Sequence, residues 1–262
     1  MAHIECNFYS PALMRNTNLV VFLPSIGPDD YIFHTDKSFL APEKKYQVLY
    51  LLHGSYDDCF CWSRNSCIER YAQEKCLAVV MPSVENSAYM NMAYGEQYET
   101  YITEELPEFL ATIFPISLKK EDTFIAGLSM GGGGAFRYAL KFPEKYGAAA
   151  SLSGGLDSKM LESSAHLQGL PKNYMRAITE DGKTENVLDL VDAVNPDELP
   201  PLYMVCGTED FIFPCNESFY SKAADAGIKI KYEKYPGIHS WEFWDDHIKD
   251  VLEWLPLSKE MV

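Results

Sequence analysis

The sequence predicts a single α/β domain over residues 1–262, with a mostly parallel central sheet and helices on both faces. Three observations carry that prediction. Short runs are apolar at every position, such as "VLYLL" at Val48–Leu52 and "LAVVM" at Leu77–Met81, as expected of strands covered on both sides. These runs alternate with longer stretches of helical period, the pattern of a parallel sheet. A chain of 262 residues, 47% hydrophobic and 23% charged, suits one large domain with a sizeable core.

In chain order, "LVVFL" (Leu19–Leu23) is the first predicted strand, followed by Val48–Leu52 and Leu77–Met81. Tyr98, Tyr101, Ile102, Leu106, Phe109, Leu110 and Ile113 then fall on one helical stripe. Pro107 interrupts that stripe and is expected to kink the helix or start a second segment. "TFIAG" (Thr123–Gly127) is a strand, and Met130–Phe142 reads as a helix apart from its glycines. "AAASLSG", "LYMVCG" and "IKIKYEKY" (residues 148–154, 202–207 and 228–235) continue the strands. Glu217–Ala226 is a helix closing on Gly227, a good C-terminal stop, and Trp241–Leu255 is an amphipathic helix ending before Pro256. The interval 157–200 breaks the rhythm. It reads as a partly helical insertion over the carboxyl ends of the strands, a candidate lid, with a peripheral excursion as the equal alternative.

Composition excludes several classes. A net charge of −16 argues against nucleic acid, whose binding needs clustered Lys and Arg, and against anionic membrane surfaces. No window of about 18 apolar residues exists to span a bilayer. The first residues lack a basic start followed by a long apolar block, so no secretory leader is expected and the cytoplasm is the expected location. Seven cysteines, an odd number, suggest free thiols in a reducing compartment. The "CFCWSRNSC" cluster lacks a second ligand group at finger-like spacing, so no metal is expected.

The chemistry centres on "FIAGLSMGGGG", residues 124–134. A phosphate-binding loop would need Lys-Ser or Lys-Thr after the glycines, and a dinucleotide fingerprint would need glycine where Ser129 stands. What fits is G-x-S-x-G, with Gly127, Ser129 and Gly131, between an apolar strand and a helix. In such a nucleophile elbow a sharp turn lifts the serine hydroxyl above the sheet. Gly132, Gly133 and Gly134 are expected to let the helix pack tightly behind it.

A serine hydroxyl needs a base, and in this arrangement the acid and then the histidine should follow it in the chain. His3, His34 and His53 precede the serine, His166 lies in the insertion and His247 inside the last helix. His239, between the final strand and that helix, is the candidate base. "LYMVCGTEDF" offers two acids: Asp210, whose shorter side chain at the end of the turn suits the part, and Glu209 as the fallback. The backbone N–H of Met130 and, from the loop "LYLLHGSYDD", that of Ser55 are the candidate oxyanion donors. Trp62, Tyr89, Met90 and Trp241 lie in or beside the loops at the strand ends and are candidate pocket walls or ordinary core.

Together "LYLLHG", "VVMPSVENSAYMNMAYG", "FIAGLSMGGGGAF" and "YPGIHSWEFWDDHI" resemble the esterase D and tributyrin-esterase branch of the α/β-hydrolases, from about Asn18 to about Leu255. That branch is similar to S-formylglutathione hydrolases, feruloyl and acetyl-xylan esterases and mycolyltransferases. The resemblance implies an α/β-hydrolase fold and a serine carboxylesterase acting on short acyl chains. At the matching positions Ser129 would be nucleophile, Asp210 acid, His239 base, and Ser55 and Met130 the oxyanion donors. No cofactor is implied and the partner is a small-molecule ester, with self-association left open. A thioesterase of the S-formylglutathione type would use the same residues. A hydrolase-fold binding protein without catalysis is the alternative of another class.

Overall fold

Residues 1–27, 32, 45–162 and 185–258 are described by the computed structural model of the chain. They contain one eight-stranded sheet: β1 (Ala2–Ser10), β2 (Arg15–Leu23), β3 (Val48–Leu52), β4 (Ala78–Pro82), β5 (Thr123–Leu128), β6 (Ala148–Leu152), β7 (Leu202–Gly207) and β8 (Ile230–Tyr235). The spatial order is β1-β2-β4-β3-β5-β6-β7-β8. β2 runs antiparallel to both neighbours, and β3 to β8 are parallel. All the carboxyl ends from β3 to β8 therefore open on one edge, where open α/β sheets hold their ligands.

Alternating residues of the central strands enter two separate cores, as the two-residue period of a strand requires. Val48, Tyr50 and Leu52 of β3 face one side. Leu49 and Leu51 face the other. The second core is closed by α1 (Cys61–Asn65), α2 (Ile68–Glu74) and the C-terminal helix Trp241–Trp254, through Trp62, Ile68, Phe243, Ile248 and Val251. The first is closed by α3 (Leu106–Ile113) and α4 (Met130–Lys141), with later help from Val187, Val191 and Phe219. Continuous apolarity in β3 and β5 follows directly from this double cover.

Pro107 acts as expected, with a detail that spacing does not reveal. One α turn (Tyr98–Thr100) and one π turn (Tyr101–Glu105) precede α3, so the chain widens before the proline. Proline has no N–H for the carbonyl four residues back and its ring crowds that carbonyl. Here that group is the Thr103 carbonyl, and Lys145 Nζ donates to it at 2.8 Å.

The 157–200 interval is only partly insertion-like. α5 (Ser158–Glu162) and α6 (Val187–Leu190) are helical, and Val187 and Val191 are buried in the first core. Buried Arg137 of α4 donates to Glu185 Oε2 at 2.8 Å, and Lys141 ion-pairs with Glu99 at 2.8 Å and Glu185 at 3.0 Å. The returning chain is thus clamped to α4 by charge as well as apolar contact. Residues 163–184, His166 among them and with them much of the candidate lid, lie outside the described residues. α7 (Phe213–Asp225) and α8 (Trp241–Trp254) complete the helices, and Gly227, with φ of +80°, follows α7 as its stop. No helix among the described residues is long and apolar enough to cross a membrane. The seven cysteines are free thiols.

Candidate active site

The site is built from turns at the carboxyl ends of four strands. Ser129 joins β5 to α4 and has φ of +53° and ψ of −117°, a conformation costly for any residue with a side chain. Three backbone bonds over-determine it. Its N–H donates to the Leu152 carbonyl at 2.9 Å, and its carbonyl accepts from Gly133 at 3.1 Å and Gly155 at 2.9 Å. The glycine run supplies the room. A Cβ on Gly131 would stand 2.6 Å from the Leu52 carbonyl oxygen. One on Gly132 would meet Ser151 Oγ at 2.7 Å, one on Gly133 the Gly155 carbonyl at 2.5 Å, and one on Gly134 the Tyr89 ring at 2.6 Å. The tight packing expected at Gly132, Gly133 and Gly134 is therefore present, and Gly131 of the elbow is equally close, against four different neighbours in all.

Asp210 and His239 come from the turns after β7 and β8. His239 Nε2 is 3.0 Å from Ser129 Oγ, and Nδ1 is 3.0 and 2.9 Å from the two Asp210 carboxylate oxygens. An ionised carboxylate can only accept, so Nδ1 carries the proton and Nε2 is left as the acceptor for the serine hydroxyl. Asp210 is buried, and its Oδ1 also accepts the Ile212 N–H at 3.0 Å. Glu209, the fallback, turns its hydrogen bonds to Gly237 instead. Its exposed carboxylate accepts the Gly237 N–H, which holds it below the usual carboxylate range, and its own N–H donates to the Gly237 carbonyl at 3.0 Å. It ties the β7 turn to the β8 turn. The His239 ring is flanked by Phe211 at 4.7 Å and Trp244 at 4.8 Å between centroids. Neither neighbour is evident from spacing, although both lie within five residues of a triad candidate.

The turn after β3 closes the site on the remaining side. A Cβ on Gly54 would be 3.5 Å from Ser129 Cβ, which places the Gly54–Ser55 peptide beside the elbow. Met130 is the first residue of α4, where an N–H has no helical acceptor. The loop after β4, residues 83–90, grips the β3 turn from behind. Val84 N–H donates to His53 Nε2 at 3.0 Å, Tyr89 Oη–H to the His53 carbonyl at 2.9 Å, Tyr56 N–H to Asn86 Oδ1 at 2.8 Å and Cys59 N–H to Ser83 Oγ at 3.0 Å. Three residues of that loop, Glu85, Ala88 and Tyr89, have positive φ.

Two of the four residues read as pocket walls or ordinary core lie in the core. Trp62 and Tyr89 have no surface open to solvent and cannot touch a ligand in this conformation. Trp62 Nε1–H donates to the Leu52 carbonyl at 3.1 Å and its ring packs edge-on against Trp241 at 5.2 Å; Tyr89 fills the space left by Gly134. Both are core: Trp62, in α1, belongs to the second core, and Tyr89, in the loop after β4, to the first. Met90 is almost covered and Trp241 half-buried.

The family model described as "Putative esterase" matches residues 10–255. The chain belongs to this esterase family. An acetyl esterase of Caldicellulosiruptor saccharolyticus is 33% identical over 97% of this chain and 98% of its own. Among solved structures, the fluorophosphonate-binding serine hydrolase FphF of Staphylococcus aureus superposes with a TM-score of 0.85 at 34% identity, covering 97% of this chain and 98% of its own. The S-formylglutathione hydrolase FrmB of the same organism superposes at 0.83, with 34% identity and the same coverage. A ferulic acid esterase at 22% identity and TM-score 0.81 shares the fold. The esterase fold is thus the α/β-hydrolase fold that the resemblance implied, and this esterase is a serine hydrolase of the carboxylic ester class.

Proposed function

We propose that this esterase hydrolyses short-chain acyl esters, acetyl to butyryl, through an acyl-enzyme on Ser129, with acetylated or feruloylated carbohydrates among its substrates. The observation that carries the reading is the unbroken hydrogen-bonded line from Asp210 through His239 to Ser129 Oγ. His239 Nε2 accepts the serine proton as Oγ attacks the ester carbonyl, and Asp210 stabilises the imidazolium without being protonated. The backbone N–H groups of Ser55 and Met130 receive the developing oxyanion. His239 returns its proton to the leaving alcohol, and water repeats the cycle on the acyl-enzyme. The free thiols support a reducing location such as the cytoplasm.

The test is an ester panel from acetyl to octanoyl and feruloyl, with a p-nitrophenyl ester to follow the burst. Ser129→Ala is expected to lower kcat on the order of 10⁴-fold or more; near-wild-type turnover by this variant would sink the proposal. The rate should also fall with acid, because a protonated imidazole cannot take the serine proton. The likeness to FrmB favours a second reading, a thioesterase acting on S-formylglutathione. A kcat/KM for that thioester well above those for the oxygen esters would decide for it.

A further inference from the structure

His53 is buried beneath the site and takes no part in the chemistry just described. Its two ring nitrogens have separate backbone partners. Nε2 faces the Val84 N–H at 3.0 Å and Nδ1 the Gly54 carbonyl oxygen at 2.7 Å. A backbone N–H can only donate, so Nε2 is unprotonated and the single proton sits on Nδ1, donated to Gly54. Burial pushes the pKa of this imidazole down, against the pull of the Gly54 carbonyl and of the Asp57, Asp58 and Glu85 carboxylates. The one-proton form is therefore favoured.

The acceptor gives the bond its meaning. The Gly54 carbonyl and the Ser55 N–H belong to one planar peptide unit, and no peptide bond among the described residues is cis. In a trans unit the C=O and N–H point in opposite directions, so whatever fixes one fixes the other. Glycine at position 54 leaves the torsions beside this peptide unusually free, and the turn continues into Tyr56 with φ of +67°. Without an added restraint, such a peptide can rotate.

We propose that His53 is a positioning residue for the oxyanion site: its Nδ1–H bond to the Gly54 carbonyl sets the Ser55 N–H toward the oxygen that becomes negative in the transition state. This rests on the reading of Ser129 as nucleophile and Ser55 as donor. His53 acts through the peptide plane and touches no substrate. The flanking bonds from Tyr89 to the His53 carbonyl and from Tyr56 to Asn86 involve no imidazole atom, so the loop has other anchors when the ring is removed.

The experiment compares His53→Ala, His53→Asn and His53→Gln with wild type, using p-nitrophenyl acetate for rates and phenylboronic acid as the tetrahedral mimic. An asparagine amide N–H reaches the place of Nδ1–H, whereas glutamine reaches the place of Nε2. His53→Ala is expected to lose roughly 10- to 100-fold in kcat, a partial loss of one oxyanion donor, with KM changed less than about twofold. The boronate Ki should rise by the factor that kcat/KM falls. His53→Asn should return kcat to within about fivefold of wild type, and His53→Gln should not. Wild-type kcat in His53→Ala, equal recovery or equal failure of the two amides, or a change confined to KM would overturn the assignment. If His53→Ala cannot be obtained folded, the two amides decide: recovery in His53→Asn with loss in His53→Gln upholds it, and equal rates in the two, or a loss beyond about tenfold in folded His53→Asn, overturns it. Fluorophosphonate labelling separates the two layers. A wild type unlabelled at Ser129 fails the underlying reading, whereas full labelling with undiminished kcat in His53→Ala fails only the part given to His53.

Discussion

Asp210 and Glu209 are adjacent carboxylates in one turn, and their surroundings divide their work. The Asp210 side chain has no exposure and both its oxygens reach the His239 Nδ1. Glu209 is solvated and spends its carboxylate on the Gly237 N–H. Asp210→Asn should present an amide N–H to Nδ1, favour the wrong imidazole tautomer and lower kcat on the order of 10⁴-fold. Glu209→Gln should change kcat less than about fivefold, because its amide oxygen can still accept a backbone N–H. Steady-state rates on one ester measure both, and comparable losses in the two variants would contradict this division. The choice of Asp210 over Glu209 was half legible: side-chain length and motif context favoured it, but only the fold shows which carboxylate points inward. His53 was less legible still. Chain order removes it as the base, but its bond to a carbonyl one residue away depends on a ring rotamer that spacing does not encode.

At the scale of elements, the glycine run in α4 shows how close approach, rather than flexibility, selects residues. Glycine in a helix costs about 0.5–1 kcal/mol relative to alanine, so Gly134→Ala would stabilise the helix were the site open. It is closed by the Tyr89 ring, 2.6 Å from an added Cβ, and Tyr89 is the residue bonded to the His53 carbonyl and, through its own carbonyl, to Tyr138 Oη–H at 2.6 Å. We expect Gly134→Ala to lower stability by about 1–3 kcal/mol, read as a shift in the urea midpoint, and to reduce kcat as the β3 turn loosens. A stability equal to or above wild type would show that Tyr89 yields freely. The strands follow the same logic of surroundings. β3 and β7 are readable to the residue because every position is buried. In β2, the expected Leu19–Leu23 is essentially the stretch paired on both sides, whereas Arg15–Asn18 pairs only with β1. β1 itself was not foreseen. Its alternating half-exposed pattern is that of an edge strand with one wet face, which contains no apolar run to notice.

For the whole molecule, one buried imidazole links the site to acid stability. Folding holds the His53 pKa below its ordinary value, with burial the largest cause, while the unfolded chain titrates near the ordinary imidazole value of about 6.5. As pH falls below about 6.5, the unfolded state takes a proton that the folded state refuses. Stability present above that pH is therefore lost progressively toward the folded value, with a slope of up to about 1.4 kcal/mol per pH unit. Glu209 and Glu233 contribute with the same sign, since Gly237 N–H and Tyr203 Oη–H hold their carboxylates below the usual range. Their contribution is present above the ordinary carboxylate value and is lost only as pH falls through the lower folded values, in a more acidic window. The net charge of −16 acts the other way, because acid relieves self-repulsion. These contributions are common to wild type and His53→Asn, so the difference between their urea midpoints isolates the imidazole. Between pH ~8 and ~6.5 the two curves should run parallel. Below that, wild type should fall more steeply and the variant should close the gap or overtake it. Curves that stay parallel down to pH ~5 would mean that His53 accepts its second proton in the folded protein without opposition, against the lowered pKa that burial gives the ring.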